Sequence, residues 1–270
     1  MEIPILQIDA FTSQPFKGNP AAVCLLSEKL PDEWMQQVAA EMNLSETAFV
    51  QPRAGGDGFS LRWFTPTLEI ALCGHATLAS AHALYETGWL GPREEARFHT
   101  QSGQLSVQRK GKLLEMNFPA LPVRESVLPK AVQEALGALP RRVCRAVELG
   151  NEKNFLLELA DEKEVRNLKP DFGWLREVAK VGIIVTARAT TPPFDFVSRY
   201  FAGYAGIDED PVTGAAHCSL APYWAKELGR TELIGYQASA RGGVVRVRHA
   251  ADRVLLAGEA VTVLRGILIS

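Results

Sequence analysis

The apolar positions of this chain fall into short runs and two longer segments. Val23-Cys24-Leu25-Leu26 and Phe155-Leu156-Leu157 are continuous apolar runs of strand length. Phe59-Ser60-Leu61-Arg62-Trp63-Phe64-Thr65 and Phe196-Val197-Ser198-Arg199-Tyr200-Phe201-Ala202 alternate aromatic and polar residues, the pattern of a strand in a half-buried sheet. Leu72 to Leu84 and Ala215 to Trp224 contain few polar residues, so each predicts a helix apolar on most of its circumference. Such a helix belongs inside a sheet, not on a surface.

These elements occur twice in the same order. Gly18 and Asn19 lead into the first apolar run, and Gly150 and Asn151 into the second. Arg-aromatic-Phe recurs in both aromatic strands. Cys73-Gly74-His75-Ala76 opens one apolar helix, running to Glu86, and Thr213-Gly214-Ala215-Ala216 opens the other, running to Leu228. From Gly74 to Gly103 is 29 residues, and from Gly214 to Gly243 is also 29, with the strand patterns Gln104-Leu105-Ser106-Val107 and Val244-Val245-Arg246-Val247 following. The chain is therefore read as two duplicated α+β halves, each a set of strands around one central helix. Pro119, Pro122 and Pro129 mark a linker, giving an N-terminal half over 1–119, to which a C-terminal strand can return, and a C-terminal half over 130–270. Pro222 inside the second helix predicts a later start or a kink.

Composition narrows the class. With 270 residues and 47% hydrophobic content the chain can bury a large core, and a net charge of -2 without charge runs shows no nucleic-acid footprint or polybasic membrane patch. The start MEIPILQIDAF lacks a basic region followed by a long apolar one, and no apolar run reaches bilayer length, so a cytoplasmic protein is expected. Cys24, Cys73, Cys144 and Cys218 are widely spaced and suggest neither disulfides nor zinc. No metal is expected, because His75, His82, His99, His217 and His249 show no ligand spacing; His82 and His217 read as core or helix-surface residues.

Two helices that each begin at a glycine offer backbone N–H groups and a partial positive charge to an anion, and paired halves would turn both ends to one cleft. Glu46, in Asn43-Leu44-Ser45-Glu46-Thr47-Ala48-Phe49-Val50, is a carboxylate in an otherwise neutral stretch; by itself it reads as a surface charge. His75 stands at a helix start, where the local field is expected to depress its pKa and favour the neutral ring. Asp210, in Asp208-Glu209-Asp210-Pro211-Val212-Thr213-Gly214, is placed to be an N-cap.

Five stretches together resemble the phenazine-biosynthesis isomerase family from end to end: Asp9-Ala10-Phe11-Thr12 with Phe16 to Val23, Asn43 to Thr47, Arg62 to Pro66, Cys73 to Thr77, and Asp210 to Gly214. The likeness is greatest to the branch of phenazine biosynthesis-like domain proteins. It implies the diaminopimelate epimerase-like fold, with two pseudo-symmetric domains that each wrap a sheet around a central helix. It also implies a homodimer, no cofactor, and a small carboxylate-bearing substrate. By match of motif, Glu46 corresponds to the catalytic acid and base, with His75 and Asp210 as partners that bind and polarise the substrate. Asn19, Ser45, Cys73, Gly74, Ala76, Thr213, Gly214 and Ala215 correspond to substrate-binding positions, and backbone groups near the two glycines to donors for developing negative charge.

Two departures shape the expected chemistry. The epimerase begins both helices with cysteine, whereas this chain has Cys73 and Thr213. A threonine hydroxyl titrates too high to exchange a carbon-bound proton, which leaves Glu46 as the working base and favours isomerisation over epimerisation. Ala215 stands where many relatives of the phenazine enzyme have serine, removing one hydroxyl contact. Two alternatives stay open: a non-catalytic binding or interaction protein on the same fold, and an amino-acid epimerase or racemase using Cys73.

Overall fold

A computed structural model describes residues 2–148 and 151–269, so the expected Gly150 of the second repeat lies outside the described residues. The chain forms two compact units, one from Met1–Asn117 with Ala257–Ser270 and the other from Phe118–Leu256. The first contains β1 (Glu2–Ala10), β2 (Asn19–Leu25), α1 (Asp32–Met42), β3 (Glu46–Pro52), β4 (Phe59–Phe64), β5 (Glu69–Ile70), α2 (Gly74–Thr87), β6 (Ala96–Thr100), β7 (Gly103–Lys110) and most of β8 (Leu113–Pro119). The second contains β9 (Val123–Glu125), α3 (Lys130–Leu136), β10 (Arg142–Glu148), β11 (Asn151–Glu158), α4 (Glu162–Asn167), α5 (Phe172–Val178), β12 (Ile183–Arg188), β13 (Phe196–Phe201), α6 (Gly214–Leu228), β14 (Glu232–Gln237), β15 (Gly243–Ala250) and most of β16 (Arg253–Gly258). The last strand, β17 (Ala260–Ile269), pairs antiparallel with β1.

The repeat is visible in the strand directions. From β1 through β2, β3, β4 and β6 to β7 the pairings run antiparallel, parallel, antiparallel, parallel, antiparallel. From β10 through β11, β12, β13 and β14 to β15 they run in the same sequence. Each sheet is mixed and carries helices on both faces. In the first unit α1 packs over Ile3, Ile5, Ala22, Cys24, Phe49 and Phe64, while α2 lies against β1, β2 and β3. In the second, α3, α4 and α5 cover Phe155, Leu157, Ile183, Val185, Val197 and Phe201, while α6 lies against β14 and β15. Strands covered on both sides need apolar residues at successive positions, which accounts for the continuous runs of β2 and β11.

Double coverage also corrects the expected half-buried sheet at β13, whereas β4 largely keeps the expected alternation of buried and half-buried residues. Every residue of β13 is buried, including Ser198 and Arg199. Arg199 is accommodated because its guanidinium meets Glu209 through two bonds of 2.7 and 2.8 Å and donates to the carbonyl of Leu168 at 2.6 Å. The proline-rich segment is likewise more than a linker, since it contains β9, which pairs antiparallel with β10.

The central helices are as apolar as expected: α2 buries His75 to Ala81, Ala83 and Leu84, and α6 buries most of its length. Pro222 neither delays nor ends α6, which runs continuously from Gly214 to Leu228. A proline lacks the N–H that would bond the carbonyl four residues earlier. That carbonyl, of Cys218, instead accepts from Leu121 N–H at 2.9 Å, so the polar group released by the proline is satisfied by the segment just before β9.

Candidate functional site

The first unit assembles Asn19, Glu46, Cys73 and His75. Gly18 has φ +64 and a Cβ there would lie 2.1 Å from the Ala10 carbonyl, so only glycine allows the chain to turn into β2 with Asn19 as its first residue. Helix α1 ends at Asn43, in the left-handed region with φ 50, and the chain bends through the half-buried Ser45 to make Glu46 the first residue of β3. Cys73 is the extended N-cap of α2, and Gly74, His75 and the buried Ala76 form its first turn. Neither Cys73 nor Thr213 caps its helix with its side chain.

His75 is the hub, 4% exposed. Its Nε2 lies 3.1 Å from Glu46 Oε2, an ion-pair contact whose atoms otherwise have no hydrogen-bond partner among the described residues. At the opposite ring edge, Nδ1 lies 3.1 Å from Asn19 Nδ2 and 3.5 Å from Cys73 Sγ. Burial alone pulls the His75 imidazolium down, but the anionic forms of Cys73 and Glu46 outweigh it and hold its pKa well above the ordinary histidine value. Burial, followed by the Glu46 charge, pushes the Cys73 thiol up. The expected depression of His75 by the helix terminus is thus reversed by the thiol and the carboxylate that face its two nitrogens.

Ligand atoms of Glu46, Cys73 and His75 lie within 4.8 Å of one another, a grouping hidden in sequence by the distance of Glu46 from the other two. The sulfur faces Nδ1 and the carboxylate faces Nε2. One ion cannot occupy both edges of an imidazole, so this arrangement suits proton transfer better than coordination.

The second unit holds Asp210, Thr213 and Gly214 together with a residue that sequence reading missed, Gln237. Asp210 is not the N-cap of α6; that position is Thr213. Asp210 Oδ2 accepts from Thr213 Oγ1 at 2.5 Å. Gln237 Oε1 accepts from Thr213 N–H at 2.9 Å, and Gln237 Nε2 donates to the Asp210 carbonyl at 2.8 Å and to Thr213 Oγ1 at 3.1 Å. Gly214 is buried and Ala215 exposed. A fully buried amide at the end of a strand has no local sequence signature, because its partners lie more than twenty residues away.

His217, one turn into α6, is fully buried and neutral; burial lowers its pKa to about 4, and its Nδ1 meets the Thr213 carbonyl at 2.8 Å. Thr77 makes the equivalent bond in α2, from Oγ1 to the Cys73 carbonyl at 2.5 Å. His82 is a half-buried partner of Glu86 at 2.8 Å. No helix among the described residues is long and apolar enough to cross a membrane.

Comparison with known proteins follows the same lines. The sequence profile described as phenazine biosynthesis-like protein matches residues 8–266. An uncharacterized isomerase of Halalkalibacterium halodurans is 48% identical over 270 residues, covering 100% of this chain and 99% of that protein. The human phenazine biosynthesis-like domain-containing protein is 39% identical over 287 residues, covering 99% of each. The crystal structure of a PhzF-family phenazine biosynthesis protein from Enterococcus faecalis superposes with a TM-score of 0.92 at 39% identity, covering 100% of both chains. A hydroxyproline epimerase from Agrobacterium vitis, at 11% identity and a TM-score of 0.60 over 99% of this chain and 92% of that one, shares the fold.

Proposed function

Since the chain belongs to the phenazine biosynthesis-like protein family, with relatives named isomerases, we propose that it is an isomerase in which Glu46 moves a proton between carbons of a small carboxylate-bearing substrate. The observation that carries this reading is the Glu46 and His75 pair: a half-buried carboxylate and a buried imidazole 3.1 Å apart at the first turn of α2. The Glu46 carboxylate takes a proton from a carbon activated by the substrate's own unsaturation or carboxylate. The protonated His75 stabilises the negative charge that remains, and Glu46 returns the proton to a second carbon. A single carboxylate returning the proton to the same face of the same carbon gives exchange without net change, so relocation of a double bond is the productive outcome.

Proton NMR in D2O tests this on small unsaturated and amino carboxylates. Solvent deuterium enters carbon with the native protein, and Glu46→Gln lowers the rate about 10³-fold, within the usual range for an acid/base group. Equal exchange in both proteins removes Glu46 as the base. The Cys73 sulfur 3.5 Å from His75 favours one other reading, an epimerase with Cys73 as acid. Under that reading Cys73→Ala abolishes inversion of an amino acid, whereas the isomerase retains its activity in this variant.

A further inference from the structure

We infer that Gln237 is a positioning residue that holds Asp210 as a hydrogen-bond acceptor by dictating which way the Thr213 hydroxyl points. The argument follows the polarity of one short chain of bonds. Thr213 N–H is a backbone donor and can only give; the Gln237 atom 2.9 Å from it must therefore be the amide oxygen. The other end of the amide is then the NH₂ group. It lies 2.8 Å from the Asp210 carbonyl, which can only accept, so a second backbone group fixes the same orientation independently. The remaining amide hydrogen points at Thr213 Oγ1, 3.1 Å away. A hydroxyl that accepts there has its own hydrogen left to give, and the 2.5 Å contact to Asp210 Oδ2 receives it. Two main-chain groups thus determine, through an amide and a hydroxyl, that this carboxyl oxygen of Asp210 faces a donor. Gln237 is fully buried, so water cannot reverse the sequence by supplying an alternative partner. Asp210 is also tied through its own N–H to the Tyr200 carbonyl at 3.0 Å.

The placement explains two features that sequence left without a reason. Thr213 replaces a reactive side chain with one whose hydroxyl is committed on both sides, and Gln237 lies at the end of β14 beside Ser198 of β13, where an apolar residue would be ordinary. Its consequence for turnover deepens the isomerase reading and rests on it; its consequence for the carboxyl group does not.

The experiment follows the Asp210 carboxyl carbon by NMR across pH, with the resonance assigned by its loss in Asp210→Asn. In Gln237→Leu the midpoint moves to higher pH by roughly one unit, because the carboxylate loses a donor held in place for it. Thr213→Val, which retains the backbone bond to Gln237, produces the same shift and serves alone if Gln237→Leu does not fold. The double variant shifts no further than either single one, and the acid limb of kcat/KM moves with the NMR midpoint. An unchanged midpoint in Thr213→Val, or shifts that add in the double variant, overturns the inference. Carbon exchange lost in Glu46→Gln with an unchanged Asp210 midpoint sinks the role of Gln237 and leaves the isomerase; a shifted midpoint in a protein that exchanges nothing does the reverse.

Discussion

The two halves share a scaffold and differ in chemistry at matched positions. Thr47 pairs with Phe64 and Ile183 with Phe201, and Phe64 and Phe201 are equivalent in the repeat, so the counterpart of Glu46 is Gly182. The counterpart of His75 is the exposed Ala215. At Gly182 a Cβ would lie 2.1 Å from the Tyr200 hydroxyl, so no side chain fits at the position where the first half carries a carboxylate. What both halves retain is support. Arg62 grips Glu69 with two bonds of 2.7 Å and stacks 5.1 Å from the Phe64 ring, while Arg199 grips Glu209 and stacks 5.0 Å from Phe201. Divergence after duplication has thus kept the frame and confined the Glu46 and His75 pair to one copy.

The sharpest way to separate the copies is through those arginines. Arg199→Met strands the mostly buried Glu209 and is expected to cost about 4 kcal/mol, against about 1 kcal/mol for Arg62→Met, where the pair is more open to water, as read from urea unfolding. Equal costs would mean that the two grips are not distinguished by burial.

The helix histidines come next, with opposite signs. A folded pKa raised above the unfolded value makes the His75 contribution complete below about pH 6.5 and lost as pH rises through the folded value. For His217, depressed to about 4, stability is intact above pH 6.5 and falls by roughly 3 kcal/mol as pH drops to 4. Nitrogen-15 spectra at pH 7 should show His75 doubly protonated and His217 as the neutral Nδ1–H tautomer. Two neutral rings would erase the electrostatic contrast between the helices.

Smaller still is Gly182→Ala, expected to cost about 2 kcal/mol by overpacking. Tyr200→Ala in the same chain should relieve the overlap, making the double variant more stable than the two separate losses predict; strict additivity would place the overlap elsewhere. Least of all is Pro222→Ala. A proline inside a helix costs about 3 kcal/mol where nothing compensates. With Leu121 already bonded to the Cys218 carbonyl, the change should move stability by less than about 1 kcal/mol.

The halves, the repeated order of their elements along the chain and their buried helices were legible because a duplication writes each pattern twice at equal spacing. Glu46, His75 and Asp210 were legible only as members of motifs. The residues that hold each group were not: Asn19 meets His75 across 56 positions, and Gln237 meets Thr213 across 24. The direction of the His75 shift was misjudged because a helix terminus is visible in sequence and a facing carboxylate on another strand is not. The Arg-aromatic-Phe echo showed the arginines but not the glutamates they hold, since Glu69 and Glu209 follow at different intervals. The equivalence of Glu46 with Gly182 required strand register, which no periodicity supplies.

The pairing of β17 with β1 has a consequence for the order in which a ribosome delivers the fold. All of Phe118–Leu256 is synthesised as one continuous stretch, so the second half has its strands and central helix available together. The first half begins earlier and finishes later, for β1 lacks this neighbour until Ala260–Ile269 has emerged. Throughout that interval one edge of β1 offers unpaired backbone groups to any passing strand. The half that carries Glu46 and His75 is thus the last to be sealed during its own birth.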